Sequence, residues 1–305
     1  MITFVLRRVM LMIPTLWAIA TLTFFMIRLA PGGPFMSEKD IPASVVEQLQ
    51  HRYGLDRPLG QQYLTFLGNA ARFDFGPSYR FPARSVREII LEGLPVSAEL
   101  GGWALLLALL VGVPVGVLAA RKQNTAIDFG AMTLALAGVS IPNFVLGPVL
   151  VLVFSLTLFW LPPALWQSPA SRVLPVVTLA TSYMAYIARL TRGGMLEVLR
   201  QDFVRTARAK GLPERVVVGK HALKVGMLPV VSYLGPATAG IIMGSIAVET
   251  IFGVPGTGRY LVNAAFNRDY TLVMGVVLFY AALLLLLNLV VDIAYSWLDP
   301  RVELR

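Results

Sequence analysis

The octapeptide GVPGTGRY, Gly253 to Tyr260, carries two glycines at the spacing of a phosphate-binding loop. In the pattern G-x-x-x-x-G-K-[ST], backbone N–H groups cradle the phosphates, the lysine reaches the β- and γ-phosphates, and the hydroxyl holds Mg²⁺. Gly253 and Gly258 fit, but Arg259 replaces the lysine and Tyr260 replaces the hydroxyl residue. No strand-to-helix unit of the P-loop kind is visible in the chain. Glycines and a proline in this order read as a tight turn, and the chain is not itself an ATPase. Other chemistries also lack material. There are no cysteines, which excludes disulfides, thiolate metal sites and cysteine nucleophiles. His51 and His221 are the two histidines, with no H-E-x-x-H pair, so neither a metal centre nor a serine–histidine hydrolase has its parts.

The elements that must carry these residues are membrane helices. Hydrophobic residues make up 56% of the 305, charged residues 14%, and mean hydropathy is +0.70. A soluble domain of this size could not hide so much apolar surface. A crossing helix needs about 20 largely apolar residues, and six segments qualify: 9–28, 96–119, 131–159, 173–191, 227–250 and 273–296. The third is overlong and holds Pro142 and Pro148, which predicts a kinked or tilted helix. Arg7 and Arg8 before an apolar run could open a signal peptide, but the run is long and Pro31 falls where cleavage would occur, so an anchor is expected. The net charge of +9 fits basic inner loops and anionic head groups rather than nucleic acid.

Basic residues set the orientation. Arg7 and Arg8, Arg121 and Lys122, the segment 189–226 with nine basic against three acidic residues, and Arg301 and Arg305 all share one side if six spans are crossed. Both termini are therefore expected in the cytoplasm, with His221 inside and His51 outside. Segment 31–95 lies outside and balances seven basic against seven acidic residues. It is too long for a bare connection, and PASVVEQLQHRYGL and QQYLTFLGNAARF look helical, so a small external cap is expected.

The inner loop 192–226 holds the most information. Phe203 to Lys210 has good helix formers, with Ala207 and Ala209 among Arg205, Arg208 and Lys210. Gly211 suits a left-handed helix stop, Pro213 the first turn of a new helix, and Glu214 its positive end. Helix, stop, helix describes a rigid elbow whose small residues permit close approach by another surface. The plainer alternative is a basic loop that fixes topology and touches lipid.

The loop resembles the EAA loop of ABC-importer permeases, E-A-A-x3-G-x9-I-x-L-P. Aligned on Gly211, Arg205 takes the acid position and is followed by Thr206 and Ala207, while the I-x-L-P end falls on His221, Ala222, Leu223 and Lys224. Ala207, Gly211 and Leu223 fit the general form. RTARAKGLP, HALK and MLPV resemble the variant found in di- and oligopeptide permeases. The likeness continues over the chain in LRR, IPTL, RLAPGGPF, YGLDRPLGQQY, DFGPSY, PVSAELG, YIARLTRG and VETIFGVPGTGRYLVNAAFNRDYTLV. Together these are similar to the B-type permease subunit of oligopeptide ABC importers.

That resemblance implies an all-α membrane protein of the type I importer fold, six spans with a large extracytoplasmic loop after the first, in the bacterial inner membrane. It implies alternating access and a coupling helix around Arg205, Thr206, Ala207, Arg208, Ala209, Lys210, Gly211, Leu212 and Pro213, with Leu223 beyond it. The partners it implies are a second homologous permease, two cytoplasmic ATPases that bind ATP and Mg, and an external peptide-binding protein. No cofactor on this chain is implied. Residues 31–95 and 252–270 would meet the binding protein, which makes Gly253, Pro255, Gly256, Gly258, Arg259, Arg268 and Asp269 candidates for docking or gating; a solvated turn held by weak local pairs is the alternative for the three charged residues. Ser182, Tyr183, Tyr186, Ser232, Tyr233 and Glu249 are candidates for a wet pathway, although serine also serves helix packing. Glu99, Glu249 and Asp292 near helix ends are open to either function or helix contacts. Dipeptides, glutathione or nickel are alternative substrates of the same architecture. A self-sufficient channel or secondary transporter is the alternative class, and it would need no rigid elbow.

Overall fold

The structure is a computed structural model that describes residues 2–29, 33–35, 42–81 and 83–298. Pro31, residues 36–41, and Arg301 and Arg305 of the tail lie outside the described residues. The elements in order are α1 (Ile2–Leu29), α2 (Ala43–Arg52), α3 (Leu59–Ala70), α4 (Val86–Arg121), α5 (Ala126–Ser140), α6 (Asn143–Leu150) and a π-helical turn Val151–Thr157. Then follow α7 (Pro169–Val198), α8 (Asp202–Ala209), α9 (Glu214–Val216), a second π-helical run Val217–Ala222, α10 (Leu223–Gly226), α11 (Leu228–Phe252), α12 (Thr257–Phe266) and α13 (Tyr270–Leu298). Among the described residues there is one isolated bridge, Pro77 with Ser85, and no strand. That is what a bilayer demands of an open chain, because helices satisfy their own backbone groups.

Four of these helices, α1, α4, α7 and α13, are long and apolar enough to cross a membrane. There are six crossings if each bent pair, α5 with α6 and the two halves of α11, is one span. The tilt or kink expected over 131–159 is a full break: the two halves meet at 103°. Ile141 is extended at φ −85°, ψ 115° because Pro142 follows it, and a residue before proline is driven out of the helical region. α11 bends by 45° between Ile241 and Ile246. α4 is 36 residues long, about 54 Å by helical rise, and so outruns a hydrocarbon core of about 30 Å.

Two compact units divide the chain. The first is Met1–Val96 with Pro255–Leu286; the second is Ser97–Val254 with α13 from Leu287 onward. In the first, Phe24, Tyr270 and Met274 form a core braced by Ile27, Tyr63, Phe66 and Tyr79. Phe24 stacks on Phe66 at 5.6 Å and meets the Tyr63 ring edge-on at 5.3 Å, while the Tyr63 hydroxyl lies 2.7 Å from Thr21 Oγ1.

The second unit is held by close helix approach. A Cβ placed on Gly112 would lie 2.7 Å from the Met184 carbonyl oxygen, and one on Gly116 2.5 Å from that of Ala188. The G-x-x-x-G spacing on α4 therefore seats α7 directly on its backbone, as small residues do in membranes. At the far end of α7, a Cβ on Gly194 would lie 2.3 Å from the Gly226 carbonyl oxygen. The start of α7 is set by a capping box between Ser168 and Ser171, with Pro169 at its first turn, a combination that satisfies two orphan donors. Span hydroxyls turn back on their own helices, Thr178 to Leu174 O and Thr181 to Val177 O, both at 2.7 Å.

Neighbouring glycines provide a test. Gly193 faces open space while Gly194 faces backbone. Gly194→Ala is expected to destabilise the protein by about 1–3 kcal/mol, the usual cost of overpacking, and Gly193→Ala to cost less than about 0.5 kcal/mol. Thermal unfolding in detergent reads both; equal effects would contradict the packing.

Candidate functional site

The loop between α7 and α11 folds as a two-armed elbow. Asp202 opens α8 in its first turn, where a carboxylate favours the positive helix end, and the Thr206 hydroxyl donates to Asp202 O at 2.9 Å. Val204 and Ala207, three residues apart, share one face. Both are buried against Ala120, Met195, Val198, Val217, Val218 and Ala222, with Leu223 packed on the same core. The stop is a Schellman turn: Gly211 N–H donates to Arg208 O at 2.9 Å and Leu212 N–H to Ala207 O at 3.4 Å. Gly211 sits at φ +76°, and an added Cβ there would meet nothing within 4 Å. Only the backbone conformation, not space, calls for glycine.

Pro213 then caps α9 at φ −64°, ψ 143°. Arg208 reaches across the stop to Glu214 with a fork of two bonds, 3.2 and 2.9 Å. This Arg208 bond, ahead of all other causes, holds the Glu214 carboxyl below its usual value of 4.5. The second arm returns through the π-helical run, where Val217, Val218 and Ala222 are buried, and reaches α7 again at Gly226, where an added Cβ would lie 2.7 Å from Met195 Sδ.

The elbow's outer surface differs from the one expected. Small Ala207 was read as an approach point for another surface, but it is 5% exposed and belongs to the chain's own core. Ala209 remains outward, together with Arg205, Thr206, Arg208 and Lys210. On the first arm and its stop, the large apolar residues turned outward are Phe203 and Leu212, 40% and 37% exposed; Val225 on the second arm is exposed as well.

The pathway candidates do not form one group. Tyr186 and Tyr233 stack at 4.8 Å and 22°, and Tyr183 and Tyr233 both pack on Ala108, Ile187 and Val230. Ser182 points elsewhere, towards Asn143 Oδ1 at 3.3 Å and Gly138 O at 3.4 Å. Ser232 is exposed and bonded to its own helix at Leu228 O, 3.1 Å away. Glu249 is fully buried several turns further along α11, accepting from Ser97 Oγ at 2.7 Å.

The segment 253–269 is a capped helix rather than a simple turn. Gly253 ends α11 in the left-handed region at φ +64°, and Gly256 caps α12. Pro255, Arg259 and Arg268 are exposed, whereas Gly256, Gly258 and Asp269 are buried. Asp269 is not a solvated turn residue. It is 0% exposed and accepts from Ser78 Oγ, from Tyr79 N–H at 3.1 Å, from Arg80 N–H at 3.3 Å and from Leu272 N–H at 3.2 Å. Arg80 Nε donates to Asn267 O at 2.9 Å. The motifs DFGPSY and NRDYTLV are thus two halves of one knot.

Other polar pairs were not visible in the sequence. Arg192 grips Asp128 with two bonds of 2.6 and 2.7 Å, and Asp128 is 1% exposed. Glu99 accepts from Arg172 on α7 and from Trp166 Nε1. Glu99 inside an apolar span was the available signal; the pairings themselves, across 64 and 73 residues, gave none. Among the described residues no cluster of three metal-ligating side chains occurs.

Apolar broken and unbroken spans around a stiff elbow define a multi-pass membrane protein. The chain belongs to the family described as binding-protein-dependent transport system inner membrane component, which matches residues 112–304, while the N-terminal model of the same family matches residues 1–100. It is 48% identical over 305 residues to the oligopeptide transport system permease protein OppB of Salmonella typhimurium, covering 99% of this chain and 100% of that one. It is 43% identical to the dipeptide transport system permease protein DppB of Bacillus subtilis, covering 100% and 99%. Its fold matches the MetNI methionine ABC transporter in inward-facing conformations, with a TM-score of 0.60 at 16% identity, over 69% of this chain and 96% of that chain.

Two outcomes follow. Asp269→Asn turns an acceptor into a partial donor facing three N–H groups, and is expected to cost about 1–3 kcal/mol, read as faster proteolysis within residues 71–85; unchanged cleavage would contradict the knot. For Glu214, a depressed carboxyl contributes stability above pH 4.5 that is lost as pH falls through its folded value. Both partners are over 40% exposed, so Glu214→Gln is expected to change unfolding at pH 7 by no more than about 1 kcal/mol.

Proposed function

We propose that this chain is the permease subunit of an ATP-driven importer of oligopeptides across the bacterial inner membrane, with the elbow 202–226 as the seat of an ATPase subunit. Hydrolysis takes place on two partner ATPases that bind ATP and Mg; this chain is non-catalytic, carries no cofactor and pairs with a second, homologous permease. Both termini and the elbow face the cytoplasm. Residues 31–95 and 252–270 face outward, towards a peptide-binding protein.

One observation carries the coupling role: the elbow is welded to the membrane helices on its inner face and presents Phe203, Leu212, Arg205 and Lys210 on its outer face. A push on α8 therefore reaches α7 through Val204 and Ala207, and reaches α11 through the second arm. ATP drives the cycle only by binding inward- and outward-open states with different free energies. The oligopeptide substrate is favoured by the full-length similarity at 48% identity to proteins bearing that name. Dipeptides are the second reading, supported by 43% identity to a dipeptide permease. Of the pathway set, the stacked Tyr186 and Tyr233, exposed in part, are the residues proposed to meet peptide. Pro255, Arg259 and Arg268 are retained as gate or docking residues.

Leu212→Glu places a charge on the outer face without touching the core. It is expected to reduce ATP-dependent peptide uptake by about tenfold, an interface loss near 1.4 kcal/mol, with normal membrane levels. Gly211→Val strains the left-handed stop and is expected to lower uptake while leaving assembly of the permease pair intact. Full uptake by the Leu212→Glu/Gly211→Val double variant would refute the coupling role. Uptake by the chain alone, without ATPases, would favour a stand-alone transporter.

A further inference from the structure

Within the first unit, α1, α2, α3, the loop 71–79 and the start of α13 line an open cavity of about 280 Å³. The charged residues on its wall are Arg28, Arg52 and Arg57 against one carboxylate, Asp74, and one Asp74 oxygen already accepts from Gly76 N–H at 3.0 Å. The excess is two positive charges.

Arg28 is held rigidly. Its Nε and Nη2 both donate to Gln62 Oε1, at 3.1 and 2.8 Å, and its guanidinium carbon lies 3.8 Å from the centre of the Phe24 ring. Gln62 is fixed in turn, because its Nε2 donates to Leu55 O at 3.0 Å and Arg57 O at 2.7 Å. The remaining terminal nitrogen, Arg28 Nη1, is buried with no acceptor among the described residues. A buried cationic donor without an acceptor is costly, and three arginines around one cavity, against a single carboxylate, point to an oxyanion.

The place of Arg28 narrows the source. It lies in the last turn of α1, at the end of a helix apolar enough to cross the bilayer, which is the depth of lipid head groups. A second hollow shares Arg28, Leu55 and Gln62 and is walled by Phe25, Leu29 and Leu59, an apolar continuation beside the charged one. Guanidinium forks match phosphate oxygens in geometry as well as charge.

We propose that this cavity binds a phosphate group, presented by the head group of an anionic phospholipid, with Arg28, Arg52 and Arg57 supplying the positive charge. The apolar hollow takes the glycerol and the first carbons of an acyl chain. A lipid so held ties α2 and α3 to the end of α1 from outside.

The test uses the full chain in nanodiscs of phosphatidylcholine containing phosphatidylglycerol, with retained lipid counted by native mass spectrometry. The expected result is selective retention of phosphatidylglycerol, reduced about tenfold by Arg28→Gln and also by Arg57→Gln, the loss of one charge-assisted contact each. Arg57→Gln leaves both Arg28–Gln62 bonds in place, so a loss in both variants is not a loss of the local fold. A parallel arm in phosphatidylcholine alone adds inorganic phosphate and follows proteolysis of segment 42–81. Protection there, absent in the two variants, would support the phosphate site and give it a soluble source. Retention that is unselective or equal in all three proteins, together with no protection by phosphate, would overturn the proposal.

Discussion

Everything at the elbow depends on one apolar seam, the burial of Val204 and Ala207 against Met195, Val198, Ala120 and the returning arm. Without it α8 would be an eight-residue helix in water, too short to hold itself. With it, a segment outside the spans becomes part of the membrane helices' own core. The Schellman stop at Gly211 and the Arg208–Glu214 fork add direction rather than strength. They turn the chain back so that Val217, Val218 and Ala222 can close the seam from the other side. An exposed ion pair adds at most about 1 kcal/mol, so packing and not charge stiffens the elbow.

The membrane part uses a different economy. Lipid tails are as apolar as leucine, so helices gain by close approach and by mutual pairing of polar groups. Gly112, Gly116, Gly194 and Gly226 supply the first; Asp128 with Arg192, Glu99 with Arg172, and Ser97 with Glu249 supply the second. At Asp128 and Glu249, both buried, losing the partner is costly because it strands a charge away from water. The same logic places Asp269 inside the first unit, where backbone N–H groups and the Ser78 hydroxyl surround it.

Apolar runs of about 20 residues made the membrane class and the helical fold legible, because a bilayer leaves a chain few alternatives. Local stops were legible for the same reason: Gly211 and Pro213 act on their own backbone, and their effect is read without a neighbour. What a side chain faces is a tertiary fact. Ala207 and Ala209 are the same residue two positions apart, yet one is buried in the seam and the other is not. Asp269 looks like a turn residue until Ser78, 191 residues earlier, is folded onto it. The break at Ile141 was half legible: Pro142 announces a disturbance, but its 103° size depends on what the two arms pack against.

The central claim is that the elbow and α7 are one body. The chain has no cysteine, so spin labels can be placed without background at Arg189 on α7 and Ala209 on α8, both exposed. Pulsed dipolar spectroscopy on the assembled complex, with and without ATP, measures the separation. A single narrow distance that does not shift with nucleotide is the predicted result. A broad distribution, or a separation that changes on ATP binding, would show a flexible loop and contradict the account.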